Sequence, residues 1–379
     1  MLIRLLRSFL APYKRLLIGV VVLQLIGTMA ALYLPSLNAS IIDDGVAKGD
    51  TDFIWRTGGV MLAVSLVQIV CSIAAVYLGA KTAMSFGRNL REAIFSHVQT
   101  FSARELNKFG APSLITRNTN DVQQVQMLVL LTCTMLVAAP ITMIGGIIMA
   151  LREDVGLSWL VVVAVPVLAG SIGVVVMRMG PLFRVMQTRI DVVNRVLREQ
   201  ITGIRVVRAF VREPYETDRF ARANGELTAT ATSVGRLMAS IFPIVMFIMN
   251  ISSVAVLWFG AHRIADGQMQ IGSLTAFLTY LVQILMSVMM ATFLLMIAPR
   301  AAVCAERIKE VLDTDSSVVL PASPVTELHG AGIVSFEGAE FTYPGADHPI
   351  VRNVSFEARP GETTAIIGST GAGKTTLIS

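Results

Sequence analysis

The chain has 379 residues, 54% of them hydrophobic and 15% charged, with a net charge of +5. A typical soluble chain carries about 25% charged residues, so an ordinary water-soluble globular protein is excluded, and this apolar surface needs a bilayer to cover it. The positive balance does not read as a nucleic-acid surface either: the basic residues fall in blocks between apolar spans, which is a membrane-topology pattern.

The N-terminus opens on Arg4, Arg7, Lys14 and Arg15 and then turns apolar. That apolar run is too long for a signal-peptide core of roughly 7–15 residues, and no small-x-small cleavage site ends it. It reads as a first membrane span kept in the protein. Six long runs contain no Asp, Glu, Lys or Arg: Leu16–Ile42, Thr57–Ala80, Val122–Leu151, Val155–Met177, Leu237–Ala261 and Gly267–Pro299. Each exceeds the roughly 20 residues a helix needs to cross a bilayer. They predict spans near 16–37, 57–80, 127–151, 156–177, 237–261 and 271–297.

The connections set the orientation. Segments 1–15, 81–121 and 178–236 carry four, six and eleven Lys/Arg, whereas 43–56, 152–154 and 262–266 carry two, one and one. This bias predicts a multi-pass protein of the cell membrane with both termini and the two long connections in the cytoplasm. The long connections are not linker-like. The stretch from Asp191 to Ile201 keeps a helical apolar period, so the spans are expected to continue as helices beyond the membrane. Gly110-Ala111-Pro112 and Glu213-Pro214 break the pattern near mid-connection. Each connection then reads as a long helix, a short turn or crosswise helix, and a long helix back.

Residues 311–330 change character, with Asp313-Thr314-Asp315-Ser316-Ser317, Pro321 and Pro324, and read as a linker. Short β-type runs follow between Gly/Pro turns: Gly332–Phe336, Glu340–Tyr343, Val354–Glu357 and Thr363–Ile367. The predicted domains are thus a membrane domain over 1–310, a linker over 311–330 and a nucleotide-binding segment over 331–379. The fold class is an all-α six-span membrane domain with long helical extensions, followed by the first part of an α/β P-loop domain. Cys71, Cys133 and Cys304 stand far apart and read as packing residues, with no metal spacing and no disulfide framework.

The sharpest motif is Gly368-Ser369-Thr370-Gly371-Ala372-Gly373-Lys374-Thr375, which fits G-x-x-x-x-G-K-[ST] after an apolar β-branched run. Phosphates carry dense negative charge, and a glycine-rich turn lets backbone N–H groups approach them closely. Lys374 is placed to reach the β- and γ-phosphates of a nucleotide, and the Thr375 hydroxyl to ligate the Mg²⁺ that travels with ATP. Thr376, next along, completes the candidate set.

Together these features resemble an ABC exporter half-transporter, a six-span permease fused to a nucleotide-binding domain. Phe341-Thr342-Tyr343-Pro344, some twenty-five residues before Gly368, is similar to that family's adenine-stacking segment, with Tyr343 at the stacking position. Ser113–Val122 looks like the first coupling region, Gly203–Phe210 through Glu213, Glu216 and Phe220 like the second, and Ala305-Glu306-Arg307-Ile308 like the end of the sixth helix. The resemblance implies dimerisation with a second half-transporter, identical or different, and two ATP molecules sandwiched between nucleotide-binding domains. It further implies alternating access driven by ATP binding and hydrolysis. The family's signature segment and catalytic carboxylates would lie beyond Ser379, so catalytic residues are unassigned and the chain reads as part of a longer ATPase of about 600 residues by family size. A phosphate loop without them is not expected to hydrolyse ATP.

No charged side chain lies inside the six runs, which argues for coupling by ATP rather than by an ion gradient. Met246, Met249, Met286, Met289, Met290 and Met296 enrich the later spans, and flexible thioethers suit either helix packing or varied apolar cargo. Asn250 reads as an interhelical or cargo contact, and Pro140, Pro166 and Pro243 as kinks. The expected activity is export of a drug-like or lipid-like amphipathic molecule, with membrane lipid as a further partner and no nucleic acid. Three rivals remain: a catalytically degenerate regulatory half of a heterodimer, an exporter-fold importer of metal chelates, and a kinase-like or GTPase-like membrane sensor. The six spans and Tyr343 argue against the last.

Overall fold

A computed structural model of the protein describes residues 2–318, 323, 332–343 and 345–378. Two units separate at Ser317 and Val318. The first is helical throughout: α1 (Leu2–Leu10), α2 (Lys14–Ser40), α3 (Thr51–Val98), α4 (Ala103–Phe109), α5 (Ala111–Thr116), α6 (Val122–Leu131), α7 (Ala138–Glu153), α8 (Ser158–Ala209), α9 (Glu213–Ala265) and α10 (Ile271–Leu312). The second holds β1 (Val334–Phe341), β2 (Val351–Ala358) and α11 (Lys374–Ile378).

Six continuous helical stretches are long and apolar enough to cross a membrane: Leu2–Val46, Thr51–Val98, Ala111–Glu153, Ser158–Ala209, Glu213–Ala265 and Ile271–Leu312. Each holds all or nearly all of one uncharged run (the runs at Val155 and Gly267 begin three and four residues before their helices) and extends past it on at least one side, because the flanking charged sequence keeps a helical period. Two of the stretches include π-helical turns, Leu2–Val46 at Ile41–Val46 and Ala111–Glu153 at both Arg117–Asp121 and Thr132–Leu136. Such widened turns shift the helical face by part of a turn, and periodicity in sequence does not reveal them.

The two long connections fold differently. After α3 the chain turns through Ser102, whose side chain forms a capping box with Glu105 at the start of α4. The Ser102 bonds hold the Glu105 carboxyl down at about 2. Gly110, at φ 74, then redirects the chain into α5, a conformation that favours glycine. The expected crosswise element is therefore α4. Between α8 and α9 there is only a tight turn, Phe210 to Arg212, with Val211 at φ 53. Pro214 sits in the first turn of α9, where a missing N–H costs nothing.

Two apolar cores fill the helical unit. At the end with short loops, Leu32, Leu157, Leu168, Phe277, Tyr280 and Ile284 meet from α2, α8 and α10. At the opposite end, Phe86, Leu90, Ile94, Val125 and Ile308 meet from α3, α6 and α10. A small separate cluster of Val175, Met179 and Val234 zips α8 to α9. Cys71, Cys133 and Cys304 are buried free thiols.

At the short-loop end, the buried Asp43 accepts the backbone N–H groups of Gly272 (2.6 Å) and Ser273 (3.2 Å), capping the start of α10. Tyr280 donates to the Leu32 carbonyl at 2.8 Å, and Ser36 to Glu153 at 2.7 Å. Arg263 pairs with the buried Asp154 at 3.0 Å. At the other end, Arg117 donates to the Arg307 carbonyl (2.6 Å) and to Glu310 (2.8 Å).

In the second unit, β1 and β2 pair antiparallel with Val334 opposite Ala358 and Phe336 opposite Phe356, and the register shifts on either side of Ala339. The runs Gly332–Phe336 and Glu340–Tyr343, expected as two strands, are one strand carried through Gly338 at φ 56 by these irregularities. Thr363–Ile367, expected as a strand, is not one: it has no ladder partner among the described residues, and Ile367 is 90% exposed. Of the expected linker, α10 takes residues up to Leu312, while 319–322 and 324–330, with Pro321 and Pro324, lie outside the described residues.

The start of α10 has no spare volume. A Cβ on Gly272 would fall 2.3 Å from the Ala39 carbonyl oxygen and 2.4 Å from Asp43 Oδ2. Gly272→Ala is expected to destabilise the fold by about 1–3 kcal/mol, read as a lower thermal midpoint in detergent. Gly173→Ala, on α8 with nothing within 4 Å of the added carbon, serves as the control and is expected to leave that midpoint unchanged or raised.

Candidate functional site

The candidate site begins where β1 ends. Tyr343, 48% exposed, follows the strand, and its ring meets Phe341 edge-on at 5.0 Å. Ile350 donates its N–H to the Phe341 carbonyl at 2.9 Å, which fixes the entry to β2, and Val351 is buried there. Phe336 and Phe356 stack across the strand pair at 4.7 Å. Pro344 lies outside the described residues.

From β2 the chain turns at Gly361 and reaches the loop Gly368 to Gly373, which leads into α11 at Lys374. Gly371 and Gly373 hold φ of 88 and 81, a region that favours glycine. At Gly373 space is restricted as well: a Cβ would come within 2.9 Å of the Ile350 carbonyl oxygen and 3.2 Å of Val351. The loop therefore seats against the first residues of β2. Within it, Ala372 N–H donates to the Ser369 carbonyl at 3.2 Å.

The Lys374 ammonium folds back over the loop and donates to the carbonyls of Gly368 and Ser369, each at 2.7 Å. The Tyr343 hydroxyl lies 3.1 Å from Thr376 Oγ1. So the structure brings together Tyr343, Lys374 and Thr376, three residues chosen from sequence, at one edge of the hairpin. Ser369, Thr370, Gly371 and Ala372 lie exposed along the loop beside them. The arrangement offers an ammonium, hydroxyls and a close-approach backbone on one side and an aromatic face on the other. That chemistry suits a polyanion carrying a flat ring.

The comparisons with known proteins give the family. A family model described as the ABC transporter transmembrane region matches residues 17–288, and one described as ABC transporter matches 351–379. The chain belongs to the ABC transporter family. An ABC transporter ATP-binding protein of Mycobacterium bovis is 54% identical over 380 residues, covering 100% of this chain and 65% of that protein. A multidrug efflux ATP-binding/permease protein of Mycobacterium bovis BCG is 29% identical over 94% of this chain and 29% of its own length. An ATP-dependent lipid A-core flippase of Dechloromonas aromatica is 25% identical over 97% of this chain and 63% of its own. The chain thus spans 65% of the length of the first of these relatives.

A second feature lies in the helical unit of this ABC transporter chain. A cleft of about 410 Å³ opens among the π-helical turn Thr132–Leu136, α8, α9 and α10. Met289 and Met290, singled out in sequence, line it together with Met135 and Met238, which sequence reasoning passed over. Met135 comes into reach on the π-helical turn, which periodicity does not reveal. Met249 packs against the main core instead, and the side chain of Met296 lies outside the described residues. Asn250 is exposed in a groove along α9 beside Phe247 and Trp258.

Gly373→Ala is expected to weaken binding of a fluorescent ATP analogue to the intact protein by at least about tenfold, since the change forces a side chain into a left-handed conformation against Ile350. Gly368→Ala, whose added carbon meets the Ala372 methyl at 3.3 Å and the Lys374 stem at ordinary contact distance (3.9 Å), is expected to cost less. Equal losses in both titrations would show that the loop is not held as described.

Proposed function

We propose that the chain is one half of an ATP-driven exporter that moves a drug-like or lipid-like amphipathic molecule across the cell membrane by alternating access. The observation that carries this reading is the convergence of Tyr343, Lys374 and Thr376 on one glycine-rich loop in a chain with six membrane-crossing helices. In this reading, residues 1–310 form the membrane domain, 311–330 the linker and 331–379 the start of the nucleotide-binding domain. The partner is a second half-transporter, and the Lys/Arg bias supports cytoplasmic termini.

The residues present fit ATP and Mg²⁺. When bound, the nucleotide supplies the phosphoanhydride whose binding and cleavage move the domains. Lys374, which donates to the Gly368 and Ser369 carbonyls, would hold phosphate oxygens instead, and charge-assisted bonds of that kind are the stronger ones. The backbone of Gly368, Ser369, Thr370, Gly371, Ala372 and Gly373 would hold the phosphates, Thr375 would supply a hydroxyl for the metal with Thr376 beside it, and Tyr343 would stack on the base. Export of apolar cargo is supported by the multidrug and flippase relatives and by the absence of charge from the six uncharged runs.

Lys374→Ala in the intact protein, purified alone into lipid, is the test. ATPase activity in the parent, reduced at least about a hundredfold by the substitution, supports a self-sufficient dimer. Activity that appears only on co-expression with a second half supports a heterodimer. No lysine-dependent activity in either preparation overturns the reading.

A further inference from the structure

We infer that residues 313–317, which follow α10, are a strap that fastens the start of the linker to the α3–α4 corner and stays shut through the transport cycle. The end of α10 and the short crosswise helix α4 then move as one body. The inference rests on the transporter reading, since it names a device by which one half keeps its parts in step.

The contacts form a closed circuit around α4. Past α10 the Asp313 N–H donates to the Lys309 carbonyl at 2.8 Å, and the Thr314 hydroxyl to the Glu310 carbonyl at 2.6 Å. The Thr314 carbonyl accepts from His97 Nε2 at 2.9 Å, on the last turn of α3. His97 meets Phe101 edge-on at 5.3 Å, and the buried Phe101 stacks on Phe109 of α4 at 5.9 Å. The Arg117 guanidinium lies 4.9 Å from the Phe109 ring centre. Arg117 also donates to the Arg307 carbonyl and to Glu310, which returns the circuit to α10. A second tie crosses at the head of α4. Ser102 Oγ donates to Glu105 at 2.5 Å and lies 2.9 Å from Ser317 Oγ, so the Ser317 hydroxyl is the donor between the two serines.

The partners are distant in sequence: 217 residues separate His97 from Thr314, and 215 separate Ser102 from Ser317. The ties fall on both ends of α4, at its N-cap and, through Phe109, at its last residue. Sliding α4 along α10 therefore breaks several contacts at once. Glu105 adds to the cost of opening. It is buried, and its carboxyl is held low first by Ser102 and also by Ser317, although burial acts the other way. Withdrawing Ser317 takes a donor from a buried carboxylate, which is unfavourable. The α8–α9 turn differs, since Phe210 and Val211 stand exposed there. A pull on the chain beyond Ser317 thus reaches α4 through this chain's own backbone and hydrogen bonds.

The test is a disulfide formed by Ser102→Cys with Ser317→Cys in the intact transporter in lipid nanodiscs. Hydroxyl oxygens 2.9 Å apart put the β-carbons within reach of the roughly 3.5–4.5 Å that a disulfide spans. Oxidation is expected to close the bond equally in the nucleotide-free protein and with ATP and vanadate. It is expected to leave lysine-dependent ATPase within about twofold of the reduced form, and the single variants to ignore the oxidant. Cross-linking confined to one of the two states overturns the inference. So does an ATPase loss of about tenfold or more that reductant reverses, because the strap then has to open. His97→Ala is the second probe. It is expected to speed amide exchange about tenfold in peptides 103–109 and 313–317 together, and His97→Gln, which keeps an N–H donor, to speed it less. Faster exchange in one peptide without the other also overturns the strap. Oxidation-sensitive ATPase removes the strap and leaves the transporter reading; a reduced parent without lysine-dependent ATPase, cross-linking in both states, does the reverse.

Discussion

Both apolar cores of the helical unit close on α10, and α10 is fastened at each end by a carboxylate or guanidinium aimed at its backbone or flank. Asp43 takes two N–H groups at its first turn, where the helix dipole favours negative charge. Near its other end Arg117 donates to the Arg307 carbonyl and to Glu310, and Arg307 pairs with the buried Asp121 at 3.3 Å and donates a long hydrogen bond to it at 3.5 Å. In a bilayer, apolar burial alone drives little helix association, because lipid tails are as apolar as leucine. Polar contacts and close packing must then fix which helices are neighbours. At these junctions Asp43, Arg117 and Asp121 are buried and make specific polar contacts, while α3 and α9 leave many large apolar side chains exposed.

Hydropathy and charge made the six helices legible, since a bilayer forbids other spanning segments for a chain of this kind. The extensions beyond the membrane were legible too, from the period around Asp191 to Ile201. What periodicity does not carry is the phase shift of a π-helical turn. Those at Arg117–Asp121 and Thr132–Leu136 decide which side chains face α10 and which face the cleft. Arg117 and Met135 both sit on such turns, and neither stood out in sequence.

The glycine-rich loop was legible because its chemistry is local: eight consecutive residues specify both the turn and the charge. Tyr343 lies some thirty residues away and was placed only by family resemblance; its 3.1 Å approach to Thr376 depends on strand pairing that no local pattern encodes. Thr363–Ile367 shows the opposite failure. Its composition is that of a buried strand, but a strand exists only through partners, and an apolar β-branched run without a ladder remains extended chain.

The charge distribution separates one part of the chain from the rest. Residues 178–236 hold eleven Lys/Arg against six Asp/Glu, a surplus equal to the +5 of the whole sequence. This stretch is the extended part of the α8–α9 hairpin, held together by Val196, Ala223 and the pairs Arg189–Glu226 and Arg219–Glu199. Its turn leaves Phe210 and Val211 more than 70% exposed, as is Ile201 two turns of α8 before it. A basic arm resists entry into the hydrocarbon, so it remains in water, and there large exposed apolar side chains at a tip are unfavourable unless a surface covers them. The cleft lies on the same two helices, nearer the short-loop end, where Met238 follows the last arginine of the arm, Arg236, by two residues. A displacement of the arm relative to α10 would therefore reshape the cleft's walls directly, because α8 and α9 supply one side and α10 the other.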